Sequence, residues 1–245
     1  MRKVQTQAVY EYPLSAFEGD SIASEGIFSS DFLLFKANPV DSWRYHYVKR
    51  GLDVLCALIL IAFFAIPGLL IAAVILLTSE GSAFYREVRI GRGGRLFRIW
   101  KFRSMYRNAP RLGSIAGAEQ GGKVLQWRMR KHLKDPRITA IGGILRRWSL
   151  DELPQLFNVL SGEMSLVGPR PIVEAETGFY GNLLPFYLAA TPGLSGLWQV
   201  SGRSNVDYAK RAKLDAMYVR SWCLESDLSI LFRTIPAVLT RIGAR

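Results

Sequence analysis

VLCALILIAFFAIPGLLIAAVILL, residues 54 to 77, carries no charged side chain. As a helix rising 1.5 Å per residue it is long enough for a hydrocarbon layer of about 30 Å, so the chain is expected to meet a membrane. The run lies more than fifty residues in, with no small-residue cleavage site after it, and reads as a retained segment rather than a signal peptide. Arg44, Lys49 and Arg50 precede it; Arg86, Arg89, Arg92, Arg95, Arg98, Lys101, Arg103 and Arg107 follow. A straight span would export one basic flank against the positive-inside tendency. Pro67, with Gly68 beside it, removes an amide donor in mid-run and obstructs the preceding turn, which suits a re-entrant helix-break-helix that enters and leaves by one leaflet. A kinked transmembrane helix satisfies the same residues. Asp53, one helical turn after Arg50, is placed to pair with it where the run begins.

Working outward, the net charge of +12 over 245 residues is uneven. Residues 1–42 hold Arg2, Lys3 and Lys36 against Glu11, Glu18, Asp20, Glu25, Asp31 and Asp41, so the basic excess belongs to the rest of the chain. Such an excess favours nucleic acid, an anionic membrane surface or phosphorylated small molecules, and charge alone does not choose among them. Two cysteines, Cys56 and Cys223, give no disulfide framework. His46 and His132 show no zinc-site spacing, which leaves a hard cation on carboxylate and phosphate oxygens as the metal to expect.

Three regions follow: an extension over 1–42, a membrane segment over 43–79, and a cytoplasmic catalytic domain over 80–245. Aromatic and β-branched stretches around Gly91-Arg92-Gly93-Gly94 predict a β-hairpin over 83–105. Residues 107–136 read as a loop around a short helix near 123–131. Leu153, Leu156, Phe157 and Leu160 share one apolar face of a helix over 150–160. A turn-rich stretch follows, in which Gly168-Pro169-Arg170-Pro171 stiffens the backbone around Arg170. Helices are expected over 206–222 and 227–241; the second is basic and amphipathic, suited to the headgroup layer or equally to the protein core. The fold class is α+β, a mostly helical small catalytic domain with a β-hairpin, anchored by the re-entrant segment and interfacial amphipathic helices.

Asp151 and Glu152 stand among Arg128, Arg130, Lys131, Lys134, Arg137, Arg146, Arg147 and Arg170. Ser149-Leu150-Asp151-Glu152 fits a capping box, in which the acids serve only the helix start. Pro154 argues against an ordinary second turn and for a distorted or late start that aims the carboxylates outward. An ionised aspartate there, kept acidic by Arg146, Arg147 and the helix dipole, is able to attack phosphorus, while the neighbouring glutamate helps to hold Mg²⁺.

Five ordered motifs then carry a resemblance. They are Lys49-Arg50-x-x-Asp53 before an apolar run with a central proline; Lys101-Phe102-Arg103-Ser104-Met105; Leu150-Asp151-Glu152-Leu153-Pro154-Gln155-Leu156-x-Asn158-Val159-Leu160; Gly162-x-Met164-Ser165-x-Val167-Gly168-Pro169-Arg170-Pro171; and Pro192-Gly193-Leu194-x-Gly196-x-Trp198-Gln199-Val200-x-Gly202-Arg203. Residues 45–243 resemble the bacterial sugar transferases, more narrowly the monotopic polyprenyl-phosphate phosphoglycosyltransferases that start exopolysaccharide and related glycan assembly. The resemblance implies transfer of a sugar-1-phosphate from a UDP-hexose to undecaprenyl phosphate at the cytoplasmic face of the bacterial inner membrane, with release of UMP. It further implies Asp151 as nucleophile and site of a covalent phosphosugar, and Glu152 as its partner. Both would serve Mg²⁺, with Lys101, Arg146, Arg170 and Arg203 on phosphates or nucleotide. It also favours re-entry with the break at Pro67, although Ile66 stands where some members have serine. Membrane lipid is then a partner and nucleic acid is not; a homo-oligomer stays open, as does the hexose.

The alternative is a membrane-tethered binder of anionic lipid or nucleic acid without catalysis, which accounts for the charge but not for the acidic pair. Glu152→Gln separates capping from catalysis. The catalytic role predicts loss of turnover and of its Mg²⁺ dependence together, read as product release against metal concentration; an unchanged metal response would leave only the cap.

Overall fold

The computed structural model describes residues 39–107, 137–202 and 206–240. The expected extension before residue 39, the short helix near 123–131 and Arg203 fall outside the described residues.

A π-helical turn over Arg44–Lys49 leads into helix α1, Arg50–Thr78. Helical backbone continues through the position of the expected break, and Pro67 sits inside a single element. Packing explains the difference. Before the proline, Asp53 and Ala57 are buried, and Arg50 donates to the carbonyls of Val159 and Leu160. After it, Gly68 faces Phe102, and Ile71, Ala72 and Ile75 pack with Ala83, Phe102 and Leu145. Contacts on both sides of Pro67 hold the helix to one protein body, where the proline alone would weaken it. The outer face is apolar and exposed at Leu55, Ile59, Phe63, Ile66, Leu70 and Leu77.

The hairpin is as expected: β1, Phe84–Ile90, pairs antiparallel with β2, Leu96–Phe102, with Phe84 opposite Phe102 and Ile90 opposite Leu96. Gly93 and Gly94 adopt φ of 66° and 78° in the turn, where a side chain would be strained. Strand alternation sends Phe102 toward α1, while Ile99 and Lys101 face the opposite way, alongside Arg89 of β1.

Helix α2, Ala140–Arg147, begins at Thr139, whose hydroxyl accepts the Gly142 amide at 2.9 Å. A side chain on Gly142 would collide with the Ser104 backbone, so the glycine lets α2 press against the end of β2. A 3₁₀ turn over Leu150–Glu152 precedes α3, Gln155–Ser161, so the helix starts late, just after Pro154, as expected. The buried face of α3 is not the expected one: Gln155, Leu156, Asn158 and Val159 point inward, and Phe157 is exposed. Asn158 explains the rotation. Its amide accepts the Trp100 N–H and donates to the Arg98 carbonyl, both at 2.9 Å, closing the free edge of β2.

Short strands β3, Ser165–Val167, and β4, Gly193–Ser195, run parallel, with α4, Leu184–Ala189, between them in sequence. After β4 come α5, Leu197–Val200, then α6, Tyr208–Arg220, and α7, Leu224–Leu239. Helix α7 packs one side on the protein core, with Ser226, Asp227 and Ile230 buried, while Leu228, Phe232, Ile235 and Leu239 form an exposed apolar stripe.

Asp227 anchors this arrangement. Its carboxylate takes Lys49 Nζ at 2.6 Å and the Trp222 indole N–H at 3.0 Å, and lies 2.8 Å from the Tyr218 hydroxyl; both charged residues are 4% exposed. Removing one partner strands a buried charge, at a cost of about 3–5 kcal/mol. Asp227→Ala is therefore expected to lower unfolding stability by that order in detergent, while the apolar pair Lys49→Met with Asp227→Leu recovers most of the loss. No recovery in the double variant would show that the carboxylate matters through its hydrogen bonds to Tyr218 and Trp222 alone.

Candidate active site

Four segments distant in sequence meet at one cleft, lined by Arg89, Ile99, Lys101, Glu152, Gln155, Arg170, Pro171, Gly193 and Leu194. The first is the inner face of the hairpin. Lys101 Nζ reaches Glu152 Oε1 at 3.0 Å.

The second is the 3₁₀ turn. Ser149 adopts φ of 56°, unusual for a residue with a side chain, and its hydroxyl makes no cap. The capping-box reading therefore fails: Glu152 turns to Lys101 and lies 3.8 Å from Arg170 Nη1 instead. Asp151, in the same turn, is 8% exposed.

The third and fourth segments are the loops after β3 and around β4. Gly168 N–H donates to the Ser195 carbonyl at 2.9 Å, and Gly193 N–H to the Pro169 carbonyl at 2.8 Å. A side chain on Gly193 would strike the Gly168 backbone, so only glycines allow this approach. On the far side of Arg170, Arg89 Nη1 donates to the Pro171 carbonyl at 3.2 Å, and Ile90 N–H to the Ile172 carbonyl at 2.9 Å. Arg170 thus extends from a backbone fixed on both sides, as the Gly-Pro-Arg-Pro sequence suggested.

Of the expected site residues, Lys101, Glu152 and Arg170 come together, with Asp151 in the adjoining position of the turn. Arg146 Nε donates to Ser104 Oγ at 2.8 Å at the end of β2, outside the cleft lining. Pro67 lies in α1. Sequence reasoning had not singled out Arg89 or Gln155. For Arg89 the signal was present, since hairpin register places it on the face that carries Lys101.

Among the described residues no group of three or more His, Cys, Asp or Glu side chains is placed to hold a metal alone. Two adjacent carboxylates nevertheless fit Mg²⁺, which favours one or two protein carboxylates completed by phosphate oxygens and water. Positive side chains from two segments, the hairpin and the loop after β3, around one acidic turn suit an enzyme that acts on phosphate groups.

Over residues 44–241 the chain matches the bacterial sugar transferase family, and it belongs to that family. It is 44% identical over 197 residues to the exopolysaccharide production protein ExoY of Sinorhizobium fredii, covering 80% of this chain and 87% of that protein. It is 44% identical over 220 residues to the undecaprenyl-phosphate galactose phosphotransferase of Salmonella typhimurium, covering 89% of this chain but 46% of that longer protein. The UDP-glucose:undecaprenyl-phosphate glucose-1-phosphate transferase of Caulobacter vibrioides is 43% identical over 206 residues, 80% of this chain and 71% of that protein.

Behind Arg170 lies a second acid, Asp215, 1% exposed, which accepts the Tyr180 hydroxyl at 2.7 Å. Burial pushes its carboxyl up to about 7, against the opposing pull of Arg211, Tyr180 and Arg170. A carboxyl that binds its proton more tightly folded than unfolded stabilises the fold most below its unfolded pKa, and that contribution fades as pH rises toward 7. Asp215→Asn should therefore gain in thermal stability relative to wild type as pH is raised from about 5 to about 8. A pH-independent offset between the two melting curves would contradict the raised pKa.

Proposed function

We propose that this transferase moves a sugar-1-phosphate from a UDP-hexose to undecaprenyl phosphate, as the first step of exopolysaccharide or related glycan assembly. The supporting observation is Glu152 held by Lys101 at 3.0 Å, with Arg170 at 3.8 Å, next to the buried Asp151. The names of the Salmonella and Caulobacter relatives, both undecaprenyl-phosphate transferases, support the choice of lipid acceptor.

Asp151 is the nucleophile. A carboxylate oxygen attacks the phosphorus that carries the sugar; the bond from that phosphorus to the bridging oxygen breaks, and UMP leaves with the electron pair. The product is an acyl phosphate on Asp151 bearing the sugar. A phosphate oxygen of the lipid then attacks the same phosphorus, the aspartyl bond breaks, and the carboxylate is regenerated. One pyrophosphate replaces another, so neither step requires an external oxidant or a net proton.

Lys101 and Arg170 stabilise charge on the phosphoryl oxygens, with Arg89 widening the same field from the hairpin. Arg146 and Arg203 are assigned to the donor's phosphates or nucleotide. Mg²⁺ held by Asp151 and Glu152 would supply further positive charge to the pyrophosphate. The exposed apolar faces of α1 and α7 support a seat in the cytoplasmic leaflet of the bacterial inner membrane, where the lipid's phosphate would be within reach.

Asp151→Asn is expected to reduce UMP release by on the order of 10³-fold or more while leaving membrane association intact. Intact mass of the wild-type enzyme incubated with its donor, lipid acceptor withheld, should gain one hexose phosphate on Asp151. An adduct on another residue, or unimpaired turnover by the Asn variant, would remove Asp151 from this role.

A further inference from the structure

Two guanidinium groups lie over one indole behind the cleft. The Arg170 Cζ is 5.7 Å from the centre of the Trp198 ring, and the Arg211 Cζ is 4.9 Å from the same ring and 5.3 Å from that of Tyr208. Arg211 is 7% exposed, yet among the described residues its Nε and Nη2 have no hydrogen-bond partner, and neither has Trp198 Nε1. Asp215, one turn along α6, does not supply the missing acceptor: one oxygen takes the Tyr180 hydroxyl and the other is unpartnered.

A buried cation with unmatched N–H groups is costly, and an apolar side chain would fill the space without that penalty. Two aromatic faces offset that cost for Arg211, together with the nearby carboxyls of Asp215 and Glu176. Those two faces lead to one place. Trp198 carries the Arg170 side chain. The Tyr208 hydroxyl donates to Glu176 at 2.7 Å, and Glu176 accepts the Val173 amide at 3.1 Å, three residues beyond Arg170. Burial works against ionisation of Glu176, but the Tyr208 bond and the Arg211 charge hold its carboxyl below the usual range, which keeps this arm charged and tight.

We propose that Arg211 is a positioning residue which, through the indole of Trp198, sets the guanidinium of Arg170 at its place beside Glu152. The proposal rests on the assignment of Arg170 to the donor's phosphates. Without Arg211 the indole loses the partner that braces it, and Arg170 loses the surface that restricts its rotamers. The cleft keeps its charge but loses pre-organisation.

A double-mutant cycle on kcat/KM for UMP release tests the link. Arg211→Met, which keeps the stem and removes the charge, is expected to lower kcat/KM about tenfold in the wild-type background and by less than twofold when Arg170 is already alanine. Trp198→Leu should show the same loss and the same non-additivity, and serves if Arg211→Met does not fold; Trp198→Phe, which keeps a ring face, should recover most of the activity. Losses that multiply in the double variants would overturn the proposal, because Arg211 would then act without Arg170.

A second readout needs no turnover. In protein labelled with ¹⁵N-arginine, the Arg170 Nε–H line, identified by its loss in Arg170→Lys, should carry the ring-current shift of Trp198 and move to the position of exposed arginines in Arg211→Met or Trp198→Leu. A line that stays in place refutes the stack. Wild-type protein that releases no UMP from any UDP-hexose would instead defeat the reaction assigned above, and the arginine spectrum would still decide the stack.

Discussion

The buried carboxylate of Asp227 is the constraint on which the rest of the protein depends. It joins the root of the apolar helix, through Lys49, to the end of α6, through Tyr218 and Trp222. The Tyr218 hydroxyl also lies 3.0 Å from the Val167 carbonyl, so the same cluster reaches the strand that leads into Arg170. Asp53 adds a second tie of this kind by accepting the Leu166 amide at 3.0 Å. Matched donors and acceptors so far from water fix the relative positions of these groups more sharply than apolar contact does.

With that frame in place, the cleft needs little more than close backbone approach. Glycines at 142, 168 and 193 occupy points where a side chain would meet neighbouring backbone. They let α2 press on the end of β2, and the β3 loop lie against β4. The acidic turn is thereby brought to the hairpin's inner face. Glu152 is held by charges from two different segments, so its place depends on tertiary structure and not on the local helix cap that its sequence imitates.

The hairpin was legible because its signals are local: aromatic and β-branched runs around Gly93 and Gly94, both of which adopt positive φ. The acidic pair was legible for its contrast with the surrounding charge, and the late start of α3 followed from Pro154. Other features depended on partners far along the chain. Pro67 announces a break, but packing of Gly68, Ile71 and Ile75 keeps the helix whole. The apolar residues of α3 pointed to Phe157 as core, whereas the hydrogen bonds of Asn158 to β2 turned the helix and left Phe157 outside. Helix α2 went unnoticed because Gly142 and Gly143 look like a loop, although Thr139 was a cap signal. Arg211 gives no local signal in the sequence, since the placing of its guanidinium over Trp198 and Tyr208 belongs to the folded state alone.

Arg50 grips the last carbonyls of α3, and Asp151 stands just ahead of its first turn. Helix α3, seven residues long, is a strut of about 10 Å between the apolar helix and the carboxylate assigned as nucleophile. A strut this short does not bend, so a change in the anchor's tilt either pulls Arg50 off its carbonyls or shifts the turn that holds Asp151. The root of the apolar helix and the acidic turn are thereby coupled through a single short element.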